Sequence, residues 1–112
     1  MRKIETKKAP GAIGPYSQAF ETNGFVITSG QIPVDPQTGL VPDGIEKAIL
    51  EAAGTSLEKV VKITCFLADM KDFAAFNEVY AAYFTSYPAR SCVAVKDLPK
   101  GAACEIEAIA EK

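Results

Sequence analysis

Two stretches of helical periodicity are set among six of strand-like pattern, and this ratio restricts the fold more than any other feature of the chain. The spacing predicts a first helix over 44–53, where Ile45, Ala48, Ile49, Ala52 and Ala53 recur at i, i+3, i+4, i+7 and i+8. Asp43 can cap it, Glu46 three residues on completes a capping box, and Gly54 ends it. A second helix runs from Asp72 to about Phe84, with Phe73, Phe76, Tyr80 and Tyr83 as its buried stripe. Strands are expected over 2–6, 17–21, 25–29, 60–67, 90–97 and 103–110. Asn23-Gly24 is a hairpin turn between the second and third, because both residues tolerate positive φ. In the fourth, Val61, Ile63, Cys65 and Leu67 share one face and Val60, Lys62, Thr64 and Phe66 the other. Leu98-Pro99-Lys100-Gly101 turns the chain between the last two. The order β-β-β-α-β-α-β-β predicts an α+β fold, with two helices packed on one face of a mixed β-sheet. The other face still carries Val and Ile, and no third helix remains to cover it. Self-association is the simplest cover.

The 112 residues fit one domain, 1–112. A chain of this length buries roughly 60–70% of its unfolded surface, enough for a core without metal or disulfide staples. No repeat or linker interrupts it; Ala9–Pro15 and Gly30–Pro42, rich in Pro and Gly, read as ordered loops. No apolar run approaches the ~20 residues of a membrane span. Met1-Arg2-Lys3-Ile4-Glu5 lacks the apolar core of a secretory signal, so a cytoplasmic location is expected.

Composition removes several kinds of chemistry. The chain has no histidine, which excludes Ser-His-Asp and Cys-His catalysis, His-ligated metal and the usual general base. Three cysteines without CxxC spacing, Cys65, Cys92 and Cys104, argue against a disulfide framework or a zinc site and read as small buried hydrophobes. Net charge is -2 with no basic stripe, which weighs against a nucleic-acid partner. Chemistry must run on Glu, Asp, Tyr, Arg, Ser, Cys, backbone groups and water.

Arg90 begins a strand just after Pro88-Ala89, where its planar fork can grip a carboxylate or serve as an ordinary ion pair. Alternation puts Glu105 and Glu107 on one strand face with Ile109 beyond. Either they pair with Lys62, Lys96 or Arg90, or one of them orients a water. Tyr16 follows the fixed turn Gly14-Pro15, as packing or as a pocket wall. Ser29-Gly30 closes a strand where backbone amides can approach a ligand. Asn77, among the apolar residues of the second helix, can cap a loop or line a pocket.

Six segments in order resemble the Rid (YjgF) family of reactive intermediate deaminases. They are Ala12-Ile13-Gly14-Pro15-Tyr16-Ser17-Gln18-Ala19, Ile27-Thr28-Ser29-Gly30-Gln31-Ile32-Pro33, Val61-Lys62-Ile63-Thr64-Cys65-Phe66-Leu67, Asp72-Phe73 to Tyr80, Pro88-Ala89-Arg90-Ser91-Cys92-Val93, and Leu98-Pro99-Lys100 to Ala110. The resemblance implies a chorismate-mutase-like fold and a homotrimer with sites at clefts between subunits. It implies hydrolysis of 2-aminoacrylate and related enamines or imines to 2-oxo acids and ammonia, with no metal or cofactor. By the same resemblance Arg90 binds the substrate carboxylate, Glu105 positions water, and Tyr16 and Ser29 line the pocket. Gly30 and Cys92 offer backbone groups and Asn77 is a pocket-side amide. Ribonuclease or translation-inhibitor activity, and a non-catalytic metabolite-binding module using the same cleft, are the competing expectations.

The chain departs from that family at its first helix. Members carry about three further turns between the stretches seen here as Gly44-Ile45-Glu46-Lys47 and Ala48-Ile49-Leu50-Glu51, which in this chain join directly. The connection from Tyr83 to Pro88 is also short. Either this is a natural or engineered deletion, or residues are absent from the sequence as given, and the second is expected; a real deletion would expose one sheet face while leaving Arg90, Glu105 and Tyr16 in place.

Overall fold

The computed structural model describes residues 1–33 and 43–112, so most of the predicted loop 30–42 and the capping role of Asp43 lie outside the described residues. The elements are β1 (Arg2–Ile4), β2 (Ala19–Thr22), β3 (Phe25–Thr28), α1 (Asp43–Ala52), β4 (Val60–Leu67), α2 (Phe73–Tyr83), β5 (Ala89–Ala94) and β6 (Cys104–Glu111). Short 3-10 turns precede β4, α2 and β6. The predicted order holds, and both helices cover the same face of one mixed sheet with strand order β1-β2-β3-β6-β4-β5. Among the described strands only the β4–β5 pair is parallel, because α2 supplies the crossover between them. Asn23 and Gly24 take φ of 50° and 81°, the left-handed pair that a two-residue hairpin between β2 and β3 requires.

The core lies between sheet and helices. Val26 from β3, Ile63 and Cys65 from β4 and Ile106 and Ala110 from β6 are fully buried there beneath Ile49, Leu50 and Phe84. The short first helix therefore does not strip its sheet face: Ala108 under it is only 3% exposed. On the opposite face Phe25, Ile27, Val61 and Val93 stand exposed, in line with the expected uncovered layer.

Four details differ from the sequence reading. The buried side of α1 is Glu46, Ile49 and Leu50, with Ile45 packed against the core and Ala53 buried just past the helix end, while Ala48 is half-buried and Ala52 exposed. Burying Leu50 removes more apolar surface from water than burying two alanines, and this orientation carries Glu46 into the core. Glu46 thus does not complete a capping box; its carboxyl accepts a hydrogen bond from Thr28 Oγ1 at 3.0 Å. A bulge between Val60 and Lys62 turns Val60 into the core and leaves Val61 outside, the reverse of simple alternation. Finally, Tyr83 is 45% exposed while Phe84, one residue past α2, is fully buried and stacks on Tyr80 with ring centroids 4.7 Å apart. The helix ends one residue early, and the non-helical φ/ψ of Phe84 swings its ring inward.

Candidate active site

Strand parity decides how the predicted residues are shared out. In β6 the side chains of Cys104, Ile106, Ala108 and Ala110 point into the core, so Glu105, Glu107 and Ile109 point to the open face. Glu105 is the register partner of Phe66, and Glu107 of Thr64, both half-buried on that face. In β5 the register runs Ile63 to Arg90 and Cys65 to Cys92, which sets Arg90 and Cys92 on the opposite, helix-bearing face. One chain therefore holds two separate groups of the expected site residues.

The first group surrounds a cavity of about 240 Å³ lined by Tyr16, Gly30, Glu105, Ile13, Ile32 and Lys100 among others. Gly30 is there for space. A Cβ on it would lie 2.7 Å from Glu105 Oε2, so only glycine lets the carboxylate rest against this backbone. The next residue, Gln31, exchanges both backbone hydrogen bonds with Ile106, which ties the loop to β6 beside Glu105. Burial, and secondarily the charge of Glu107, pushes the Glu105 carboxyl above its ordinary value. Among the described residues neither Glu105 nor Glu107 forms an ion pair, and Lys62 instead donates to Ser91 Oγ at 3.0 Å.

Tyr16 is half exposed at the cavity wall, its N–H donating to Gly14 O at 2.8 Å. Ser29 does not line this cavity. Its hydroxyl donates to the Ser17 carbonyl at 2.5 Å and holds the Tyr16 segment against the end of β3. Gln18 was not foreseen and does more of this work. Its side chain is 3% exposed; Oε1 accepts from Thr6 N at 2.7 Å while Nε2 donates to the Thr6, Ala9 and Pro10 carbonyls. A buried amide with so many backbone partners clamps the loop that carries Tyr16. Another cavity, of about 380 Å³, adjoins that loop, lined by Glu5, Lys7, Ala12, Tyr16 and Gln18 among others.

The second group is built on Arg90. Its Nη1 donates to Asn77 Oδ1 at 2.7 Å, and its guanidinium carbon lies 4.8 Å from the Tyr80 ring centre and 5.6 Å from that of Phe73. Among the described residues no acid pairs with Arg90. Asn77, left open between cap and pocket by the sequence, is Arg90's partner. Cys92 is half-buried beside Cys65, and burial pushes both thiols up, Cys65 to about 12, so neither is an activated nucleophile. Among the described residues no three His, Cys, Asp or Glu side chains converge as metal ligands would.

The fold and site define a small α+β protein in which an arginine, unpaired with any acid among the described residues, and a cavity walled by Glu105 occupy opposite faces of one sheet. Residues 6–112 match a family described as Endoribonuclease L-PSP, and the chain belongs to this family, the Rid (YjgF) proteins. Among similar curated proteins is a 2-iminobutanoate/2-iminopropanoate deaminase of Salmonella typhimurium, 49% identical over 123 residues that cover 97% of this chain and 96% of that protein. That alignment exceeds the chain's 112 residues by 11, so the relative carries positions that this chain lacks. Similar solved structures include Escherichia coli TdcF with bound serine, with a TM-score of 0.86, 48% identity and coverage of 100% of this chain and 99% of that one. RidA of the Antarctic bacterium Psychrobacter is also similar, with a TM-score of 0.90, 44% identity and full coverage of both chains.

Proposed function

We propose that the chain is one Rid-type domain that hydrolyses reactive enamine and imine acids, 2-aminoacrylate and its like, to 2-oxo acids and ammonia. It does so as a homotrimer of chorismate-mutase-like subunits in the cytoplasm. The observation that carries this reading is an Arg90 guanidinium held by Asn77, unpaired with any acid among the described residues, on the face opposite the Glu105 cavity. A neighbouring copy brings the two groups together. The exposed apolar residues Phe25, Ile27, Val61 and Val93 supply the surface it would bury. Among the described residues, no helix is long and apolar enough to cross a membrane.

The chemistry asks for little beyond placement. A 2-imino acid is already electrophilic at C2. Arg90 binds its carboxylate with two parallel hydrogen bonds and converts a loose encounter into a fixed one. Glu105 from the adjoining subunit holds a water, accepts one proton as the oxygen bonds to C2 and passes it to the nitrogen to give the carbinolamine; the same carboxylate then moves the hydroxyl proton to the nitrogen as the carbonyl forms, the C–N bond breaks and ammonia leaves. A carboxyl raised above its ordinary value is better matched to this exchange near neutral pH. Tyr16 closes the cavity with its hydroxyl, and backbone groups at Gly30 and Cys92 orient nitrogen and carboxylate. Ser29 acts through the loop it fastens. The bound serine in the TdcF structure, another small amino-group acid, supports a ligand of this size and charge.

The test is the rate at which 2-oxo acid appears from 2-aminoacrylate generated by a serine dehydratase. Wild-type protein accelerates it and Arg90→Ala does not. Absence of acceleration by wild type, or full acceleration by Arg90→Ala, overturns the reading. Ribonuclease activity that survived both Arg90→Ala and further purification would move the assignment to nucleic acid.

A further inference from the structure

We infer that Phe73 and Tyr80 form an aromatic platform that fixes the plane of Arg90, making them positioning residues for substrate binding. The inference rests on the reading of Arg90 given above and deepens it.

Phe73, Asn77 and Tyr80 stand at i, i+4 and i+7 on α2, one line along one side of the helix. All three meet the same guanidinium: its central carbon lies over the Phe73 and Tyr80 rings, 5.6 and 4.8 Å from their centres, and the amide oxygen takes one N–H at 2.7 Å. A long arginine side chain on an edge strand otherwise samples many rotamers, and gripping an anion would cost that freedom. The negative ring faces attract the cation and occupy its flat side, which removes most of this motion before substrate arrives. Asn77 then sets the rotation within the plane. Among the described residues no hydrogen bond occupies Nε or Nη2, so the in-plane edge they form, which matches a planar carboxylate, is the one assigned to an anion.

The platform is itself held rigid. Tyr80 stacks between Phe76, at 6.0 Å, and Phe84, at 4.7 Å, and is 8% exposed. Its hydroxyl is buried without a hydrogen-bond partner among the described residues. The ring is therefore the useful part of Tyr80, and the hydroxyl is dispensable at this position. The substrate class that follows is an acid whose carboxylate is unhindered and coplanar with C2, as a conjugated enamine or imine acid is.

The experiment measures binding of the stable product pyruvate by calorimetry, together with kcat and KM for 2-aminoacrylate. Phe73 is half-buried at the margin of the core, so Phe73→Leu keeps its apolar volume and the fold. It is expected to weaken binding and raise KM roughly threefold to thirtyfold, the range spanned by cation–π contacts, with kcat and melting temperature little changed. Phe73→Tyr and Tyr80→Phe, which keep the rings, retain wild-type binding. Stepwise fluorination of the ring at position 73 drains negative charge from its face at nearly constant shape, and affinity is expected to fall with each step. Constant affinity along that series, or wild-type binding by Phe73→Leu, overturns the platform. Arg90→Ala, run alongside, separates the two levels. If it too binds normally, the reading of the site has failed; if it alone loses binding, only the platform has.

Discussion

Arg90 and Glu105 point to opposite faces of one sheet, Arg90 in register with buried Ile63 and Glu105 in register with Phe66 on the open side. No side-chain rotation within one chain carries one across the sheet to the other. If both serve one reaction, each site takes its arginine from one copy and its glutamate from the next. Arg90→Ala and Glu105→Gln are each expected to be inactive alone. Mixed, denatured and refolded together at equal amounts, they should regain about a quarter of wild-type activity, the share of random interfaces that pair both intact residues. Assay of the mixture before and after subunit exchange checks this; no recovery in verified mixed oligomers would mean the two residues do not share a site.

Gly30 makes a sharper probe of Glu105 than most changes at Glu105 itself. Its φ does not require glycine; its lack of a side chain is what leaves room for the carboxylate. In Gly30→Ala the new Cβ and Glu105 Oε2 cannot both stay, and the flexible carboxylate is the part that yields. Turnover is expected to fall by about tenfold to a hundredfold, the cost of a displacement near 1 Å at a reacting group, while unfolding shifts by under about 1 kcal/mol. Steady-state kinetics and thermal melts on the same sample check the split.

Glu107 raises its neighbour's pKa by like charge, as the smaller of two causes after burial. Activity that needs Glu105 ionised is lost as pH falls through that raised value, so the acid limb of kcat/KM lies above the ordinary carboxylate position. Glu107→Gln removes the repulsion and leaves the burial. The acid limb should move to lower pH with the plateau nearly unchanged, which a pH–rate profile of both proteins reads directly. An unmoved limb would mean that another group sets it.

Much of this architecture is legible in residue spacing. The element order follows from period-2 and period-3.6 patterns, and Asn23-Gly24 fixes the hairpin. The pairing of Glu105 with Glu107 on one face needs only alternation. What spacing misses is decided by competition between neighbours. In the first helix Ile45, Ile49 and Ala53 keep their place in the stripe, while Ala48 and Ala52 give way to Leu50 because side-chain size outweighs the number of apolar positions. The bulge at Val60–Lys62 leaves no mark in a run that is apolar on both sides of it. Phe73 and Tyr80 are legible as members of the buried stripe of the second helix, but the partner they share with Asn77, Arg90, lies on another element, and the crossover is what brings it there. Gln18 carries no signal at all in a segment read as a strand entry; its amide finds its partners through the path of the preceding loop.

Glu46 is the least expected member of the core, and its chemistry gives a stability prediction. Burial drives its carboxyl up to about 8, against a lowering by the Thr28 hydrogen bond and a further push from the charge of Glu107. Oε1 accepts from Thr28 Oγ1, which also accepts the Ala108 N–H, while Oε2 has no partner among the described residues. The folded state therefore keeps this proton over a range where the unfolded chain, near 4.5, has released it. With more protons bound when folded, stability declines as pH rises between those two values, by up to about 1.4 kcal/mol per pH unit, and levels off above the higher one. Glu46→Gln keeps an acceptor for Thr28 and removes the ionisation. It should be more stable than wild type by about 1–3 kcal/mol at pH 8 and nearly equal at pH 4.5, with the slope between them largely gone. Urea unfolding of both proteins at several pH values measures it. Parallel stability curves would mean that Glu46 ionises as readily in the core as in water.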